Sequence, residues 1–514
     1  MASDSTSQQR ASDKIAEALV AEEHVEKVNI HGGKIPDIGG SFGDAAERSR
    51  RERALLRKQD LIIMPLMALS YMFSYLDRAQ IGNARIMGLQ KYLKLDNSQY
   101  YNCLMIYFVG FALAELPCAL LLRKISANYV YGSSVILFGI VTTLVFVSGS
   151  YAGLMVLRFL LGIGEAVITT GFLYLNLWYR RDELAWRSGL FFASSAVAGL
   201  FSGLVAWAVA KDLEGVDGRH SWQWLFLVEG IPTIAVGILV CLLLPGLPDQ
   251  LVKKPLLTFR NREERELILR RMIESNNDAD VKIDFRQIVV ALKDMKTLFG
   301  ALLMGGVCLA NTAFVIFMPT FIKEIGYSAL DTQLYTMIPY AFAIVATLMG
   351  CYLSDRFDRR CIPILICLGS CILGLILLLT TTNKVALIAG CCFVASGSTP
   401  AVSIAAAWVN SIHAGYTKKA TVFTINMFFV EGYAIIATQI YDTPPRFLKG
   451  HGVTLGLVGL ATIGTVLLYF HLQHENKKRD AVARQLVERG EIHPLASKSL
   501  EEVYDFHPAF RYCL

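Results

Sequence analysis

Long apolar runs, each bounded by charges and turn residues, recur along most of the chain. They fall near 60–82, 99–122, 129–148, 151–178, 188–210 and 222–245, and again near 297–320, 333–354, 361–381, 384–408, 419–441 and 453–471. A bilayer core of about 30 Å is crossed by roughly 20 helical residues, and a helix satisfies its own backbone N–H and C=O groups inside lipid. The pattern therefore predicts an all-α membrane protein with twelve transmembrane helices in two six-helix halves, 59–245 and 297–472. Residues 1–58 lack an apolar period and are rich in Ser, Gly and charge, which predicts a disordered cytoplasmic N-terminal tail. Residues 246–296, with Arg262-Glu263-Glu264-Arg265-Glu266, read as a cytoplasmic linker carrying a short surface helix. Residues 473–514 read as a polar cytoplasmic C-terminal tail.

Composition agrees. Hydrophobic residues make up 54% of the 514 and charged residues 18%, with a mean hydropathy of +0.45, which is wrong for a soluble protein of this length. The net charge of +6 comes from basic clusters flanking the apolar runs. Arg48, Arg50, Arg51, Arg53, Arg57 and Lys58 precede the first; Arg123 and Lys124, Arg180, Arg181 and Arg187, Arg356, Arg359 and Arg360, Lys418 and Lys419, and Lys477, Lys478 and Arg479 flank later ones. With twelve spans all of these share one side, and the positive-inside rule then expects both termini in the cytoplasm. Such basic residues orient a protein in its membrane and give no support for nucleic-acid binding. No cleavable signal peptide is expected from the polar start. The 11 cysteines lack metal-ligand spacing and read as small core residues.

Charges inside apolar runs are costly, about 2.5–3.5 kcal/mol at a helix centre, so each is a candidate for function. Asp77-Arg78 lie well along the first run, where an acid and a planar guanidinium suit a proton and a substrate carboxylate; a fixed ion pair is the alternative. In the fourth run Arg158, Gly162 and Glu165 fall four and seven residues apart on one helical face, with Gly162 allowing a close helix approach. The four charges are expected around one cavity, with a structural network of ion pairs as the alternative. Glu431 lies near mid-membrane and reads as a proton site, a substrate-selectivity residue or a packing residue. Trp408, Asn410 and Asn426 are further cavity candidates, or polar contacts between helices. Glu115 beside Pro117 reads as a satisfied acid at a kink, and His413 as a solvated loop residue. No nucleotide loop, metal motif or nucleophile elbow is present, so neither an ATP-driven pump nor an enzyme is indicated, and no cofactor is implied.

Four segments carry a resemblance: Tyr75 to Ala84, Arg158 to Ala166, Trp178-Tyr179-Arg180-Arg181-Asp182-Glu183, and Trp222 to Pro232. Together with the ending Phe510-Arg511-Tyr512, they resemble the anion:cation symporter branch of the major facilitator superfamily, and within it the fungal allantoate permease group of nicotinate, pantothenate and related organic-anion carriers. The resemblance implies the major facilitator fold. It implies that Asp77 and Glu165 change protonation, that Arg78 meets a substrate carboxylate, and that Arg158 pairs with the acids. Tyr75 and Tyr107 match positions that can face substrate. The loop Ser354-Asp355-Arg356-Phe357-Asp358-Arg359-Arg360 resembles the superfamily's gating signature, which implies a gating role for Asp355, Arg356 and Arg359. Cys351 and Asp358 stand where glycines are usual, and the matching loop in the first half, Leu121 to Ala127, lacks the acid.

The expected function is proton-coupled symport of a small organic anion, a carboxylate or vitamin-like molecule, by alternating access. The protein is expected as a monomer in the plasma membrane, with the anion, protons and the lipid bilayer as its partners. Export of a secondary metabolite uses the same scaffold and remains open, as does a non-transporting nutrient sensor.

Overall fold

The computed structural model describes residues 45–253, 258–274, 285–357, 359–414, 416–489, 493–495, 503–508 and 510–514. The expectation of disorder for 1–44 lies outside these residues. The first half is built from α1 (Ala45–Ile86), α2 (Asn97–Lys124), α3 (Ala127–Val145), α4 (Tyr151–Trp178), α5 (Arg181–Asp212) and α6 (Ser221–Leu243). The second is built from α7 (Met295–Glu324), α8 (Ala329–Ser354), α9 (Cys361–Thr380), α10 (Lys384–Ser411), α11 (Tyr416–Ile440) and α12 (Leu448–Arg489). Among the described residues, eleven of these helices are long and apolar enough to cross a membrane. The remaining one, α2, has 28 residues and packs along α4. Residues 45–58, expected as part of a disordered tail, are helical at the start of α1.

Local sequence explains where several helices begin. Asp96 accepts from the Gln99 N–H at 2.6 Å while Gln99 Oε1 accepts from the Asp96 N–H at 3.1 Å, a reciprocal cap that opens α2. Ser150, Asn383, Ser328 and Asp294 cap α4, α10, α8 and α7 through their side-chain oxygens. Large apolar side chains line the outside: Leu113 is 64% exposed, Ile366 68% and Phe428 74%. That is the reverse of a water-facing surface and is what a bilayer would cover.

Arg57–Leu514 form one compact unit. At the face away from the linker, the two halves meet closely. The Tyr101 hydroxyl of α2 donates to the Tyr441 carbonyl just after α11 at 2.9 Å, and Gln439 Nε2 donates to the Tyr101 carbonyl at 3.2 Å. A Cβ at Gly82 would stand 2.3 Å from the Ile316 carbonyl oxygen of α7, so only glycine permits that approach.

Among its described residues the linker carries three short helices rather than the single one expected, Pro248–Lys253, Arg262–Glu274 and Phe285–Lys293. The middle one is tied to the first half by Arg271, whose Nη2 lies 2.5 Å from Glu183 Oε1. α12 runs 18 residues beyond the end expected near 471, and the chain's last residues fold back on it. Asn476 exchanges two hydrogen bonds with the Tyr512 backbone at 2.9 and 3.0 Å. Asp505 is fully buried between Lys296 and Lys418, with its Oδ1 2.5 Å from Lys418 Nζ. His413, expected to be solvated, is 1% exposed beneath this segment. Asp294, His413 and Asp505 gather within 4.8 Å, as metal ligands would, but both carboxylates are already paired with Lys296 and Lys418.

Candidate functional site

Successive residues on a helix project about 100° apart, and this separates the Asp77-Arg78 pair. Asp77 turns into the first half, where its Oδ2 accepts from Arg158 Nη1 of α4 at 3.1 Å and its Oδ1 accepts from Thr142 Oγ1 of α3 at 3.1 Å. Arg78 turns toward the interface of the halves. Its Nε donates to the Tyr107 hydroxyl at 2.8 Å and to Glu165 Oε2 at 3.3 Å. Each member of the expected pair thus takes its partner from α4, the acid from Arg158 and the base from Glu165.

Glu165 Oε2 collects donors: Ser74 Oγ at 2.5 Å, the Tyr107 hydroxyl at 2.7 Å and Arg78 Nε. Among the described residues its other oxygen has no hydrogen-bond partner, nor do Nε and Nη2 of Arg158. Asp77, Arg158 and Glu165 are each at most 2% exposed. The close helix approach expected at Gly162 is present, since a Cβ there would lie 2.0 Å from the Tyr107 carbonyl oxygen of α2. That contact carries the Tyr107 hydroxyl to Glu165.

A cavity of about 80 Å³ lies between the halves. Tyr75, Arg78 and Phe108 line it from the first half, and Cys308, Phe423 and Glu431 from the second. The expectation that all four charges line one cavity is corrected here. Arg78 reaches the wall, while Asp77, Arg158 and Glu165 are held behind it by the helix packing that pairs them. Tyr107 also sits behind the wall, bonded to Arg78. Trp408 is fully buried at the linker face, its indole Nε1 donating to the Cys513 carbonyl at 2.9 Å. Asn426 is buried close to Gly300 of α7, away from the cavity lining. Asn410 donates to its own helix at the Ala406 carbonyl. Glu115 accepts from Thr169 at 3.3 Å. Just past α8, Arg356 is exposed and its Nη1 donates to the Tyr352 hydroxyl at 3.1 Å; Arg359 is exposed. The side chain of Asp355 lies outside the described residues.

Sequence reasoning missed Ser74, Thr142 and Glu229. Ser74 shares a face with Arg78 four residues on, a signal that was available. Glu229, in α6, is 2% exposed with both carboxylate oxygens unpartnered among the described residues. As an acid in an apolar run, it meets the rule that singled out Glu431.

Residues 67–438 match the family described as Major Facilitator Superfamily. The chain belongs to that superfamily. This facilitator is 30% identical over 504 residues to an uncharacterized transporter of Schizosaccharomyces pombe, covering 95% of this chain and 96% of that one. It is 29% identical over 475 residues to the high-affinity nicotinic acid transporter of Saccharomyces cerevisiae, covering 90% and 85%. The facilitator fold is also that of the xylose transporter XylE from E. coli in a partially occluded inward-open conformation, with TM-score 0.59 and 14% identity over 80% of this chain and 97% of that one. A bacterial homolog of the human lysosomal transporter Spinster gives TM-score 0.55 at 16% identity, covering 82% and 96%. This facilitator is thus a multi-pass membrane transporter for a small molecule and not an enzyme.

Proposed function

We propose that this transporter carries a small organic anion together with protons, by alternating access of the two halves about the central cavity. The observation that carries the reading is Arg78, a guanidinium on the cavity wall whose counter-ion, Glu165, is buried behind it. A cargo carboxylate arriving at Arg78 competes with Glu165 for the same cation. Once Arg78 turns to the cargo, Glu165 is an acid in a low-dielectric site with its cation withdrawn, and taking up a proton relieves that cost. Cargo and proton then favour each other's binding, and linkage makes the effect reciprocal. Asp77 and Arg158 form the second acid-base pair, with Arg158 restraining Asp77 until the rearrangement. Tyr75 lies over Arg78, with the guanidinium carbon 4.9 Å from its ring centre, and would steady the fork.

The resemblance of the Tyr75–Ala84 and Arg158–Ala166 segments to the allantoate permease group and the nicotinic acid transporter among the relatives support an organic anion as cargo. The basic clusters support cytoplasmic termini, and uptake at the plasma membrane by a monomer completes the proposal. Asp355, Arg356 and Arg359 would act at the inner gate, with Trp408 and Asn426 supporting the second half rather than touching cargo. The test is uptake of labelled small carboxylates into proteoliposomes under an imposed inward proton gradient. Accumulation that collapses with the gradient supports the reading; uptake indifferent to it would remove proton coupling.

A further inference from the structure

The cavity has two charged poles, one on each half. Among the described residues that line it, Arg78 of α1 is the one basic side chain and Glu431 of α11 the one acidic side chain. Arg78 already has partners in Tyr107 and Glu165. Glu431 is different. It is 7% exposed, it lines the cavity, and its Oε2 has no hydrogen-bond partner among the described residues. A buried carboxylate oxygen left without a donor is costly, and the open space beside it is where cargo sits.

The wall between the poles is largely aromatic: Tyr75, Phe108, Phe172, Phe191, Phe192 and Phe423 contribute from both halves. Flat apolar walls suit a flat ring, through offset and edge-to-face contacts. They suit a polyhydroxylated cargo poorly. Apart from the poles, the polar lining side chains are few, Thr169, Asn311, Thr312 and the hydroxyls of Tyr71 and Tyr75, and Asn311 Oδ1 already accepts from Thr399 Oγ1 at 3.3 Å. The several hydroxyls of a sugar acid would outnumber these partners, at a desolvation cost for each one left unpaired.

We infer that the cargo is an aromatic carboxylate bearing an N–H or O–H donor across the ring from its carboxylate, and that Glu431 recognises that donor. This rests on the reading of Arg78 as the carboxylate site. The carboxylate meets Arg78 on the first half, the ring fills the aromatic slot, and the donor meets the free oxygen of Glu431 on the second. A molecule holding both poles also holds both halves, so the same contact that confers selectivity draws the cavity closed around the right cargo.

The test uses purified full-length protein in lipid nanodiscs and reads dissociation constants from ligand-induced thermal stabilisation, so it depends on neither transport direction nor proton coupling. The probes are 3-aminobenzoate and 4-aminobenzoate, which carry the donor, benzoate, which lacks it, and cyclohexanecarboxylate, which lacks the aromatic ring as well. At least one aminobenzoate is expected to bind about tenfold or more tightly than benzoate, the scale of one lost hydrogen bond to a charged group, and cyclohexanecarboxylate more weakly still. Glu431→Met is expected to bring the aminobenzoate-to-benzoate ratio close to one, and Glu431→Gln, which keeps a carbonyl acceptor, to retain part of it. The melting temperature without ligand shows whether each variant is folded. Equal affinities in the unsubstituted protein, or a preference that survives Glu431→Met, would overturn the inference and leave Arg78 standing. Binding of none of these carboxylates would overturn both.

Discussion

Arg78 and Glu165, 3.3 Å apart, share the hydroxyl of Tyr107, which accepts from the first at 2.8 Å and donates to the second at 2.7 Å. One side chain from each of α1, α2 and α4 is thereby held in a single arrangement, with Arg78 on the cavity wall and Tyr107 and Glu165 behind it. Replacing Glu165 by Gln, or Asp77 by Asn, keeps the volume and removes the titrating group. Each is expected to lower gradient-driven accumulation about tenfold or more while counterflow of cargo continues, as measured in proteoliposomes with and without an imposed pH difference. Accumulation at the unsubstituted level would end the proton-carrying role.

Lysine cannot replace the guanidinium at position 78. It lacks the planar fork that meets a carboxylate with two parallel bonds and that lies against the rings of Tyr75, Tyr107 and Phe111 at 4.9–5.5 Å. Arg78→Lys should raise KM for the carboxylate about tenfold, the loss of roughly one charge-assisted hydrogen bond, with smaller effects on melting temperature. Initial-rate uptake over a range of cargo concentrations measures it.

Gly162→Ala tests the helix contact that builds the site. The added methyl would stand 2.0 Å from the Tyr107 carbonyl oxygen and 2.9 Å from the Phe111 nitrogen. Both are backbone atoms, so α2 and α4 must part. We expect a destabilisation of about 1–3 kcal/mol, typical of overpacking, seen as a lowered melting temperature, together with loss of coupling as Tyr107 withdraws from Glu165.

The docked C-terminal segment should respond to pH. Burial holds the His413 imidazole down to about 3, with the Lys296 and Lys418 ammonium groups pushing the same way. Burial by itself would raise the carboxyls of Asp294 and Asp505, but Lys296 and Lys418 overcome it and hold both below their ordinary values. A base whose folded value is depressed costs stability once pH falls below its free value near 6.5; an acid whose folded value is depressed loses its contribution as pH falls through that lower value. Docking is therefore complete above about pH 7 and weakens on acidification, first through His413 and at lower pH through the two carboxylates. Asp505→Ala leaves two buried ammonium groups short of a partner and should cost on the order of 3 kcal/mol. Limited proteolysis of the C-terminus across a pH series reads both effects.

Much of the fold was legible because lipid leaves the chain so few options. An apolar run of some twenty residues flanked by Lys and Arg has to be a helix, which is why the spans could be read directly. The extensions of α1 and α12 were not legible, because polar helices outside a bilayer carry no such constraint. His413 illustrates the same gap. A histidine in a loop looks solvated until a distant segment, here around Asp505 and Tyr512, covers it.

At the site, the sequence by itself determined which side chains are costly enough in lipid to need a reason: Asp77, Arg78, Arg158, Glu165 and Glu431, and equally Glu229, which was passed over. Only the tertiary structure decided which of them meet. Neighbours in sequence point about 100° apart on a helix, so the rotation of α1 against α4 assigns Asp77 to Arg158 and Arg78 to Glu165, and leaves Arg78 facing the cavity. The packing of α11 against the first half sets Glu431 across from it. Hydrophobicity records how deep a residue lies along its own helix, whereas pairing depends on the azimuth of two helices, which is settled by contacts such as Gly162 against Tyr107 that no single run of residues contains.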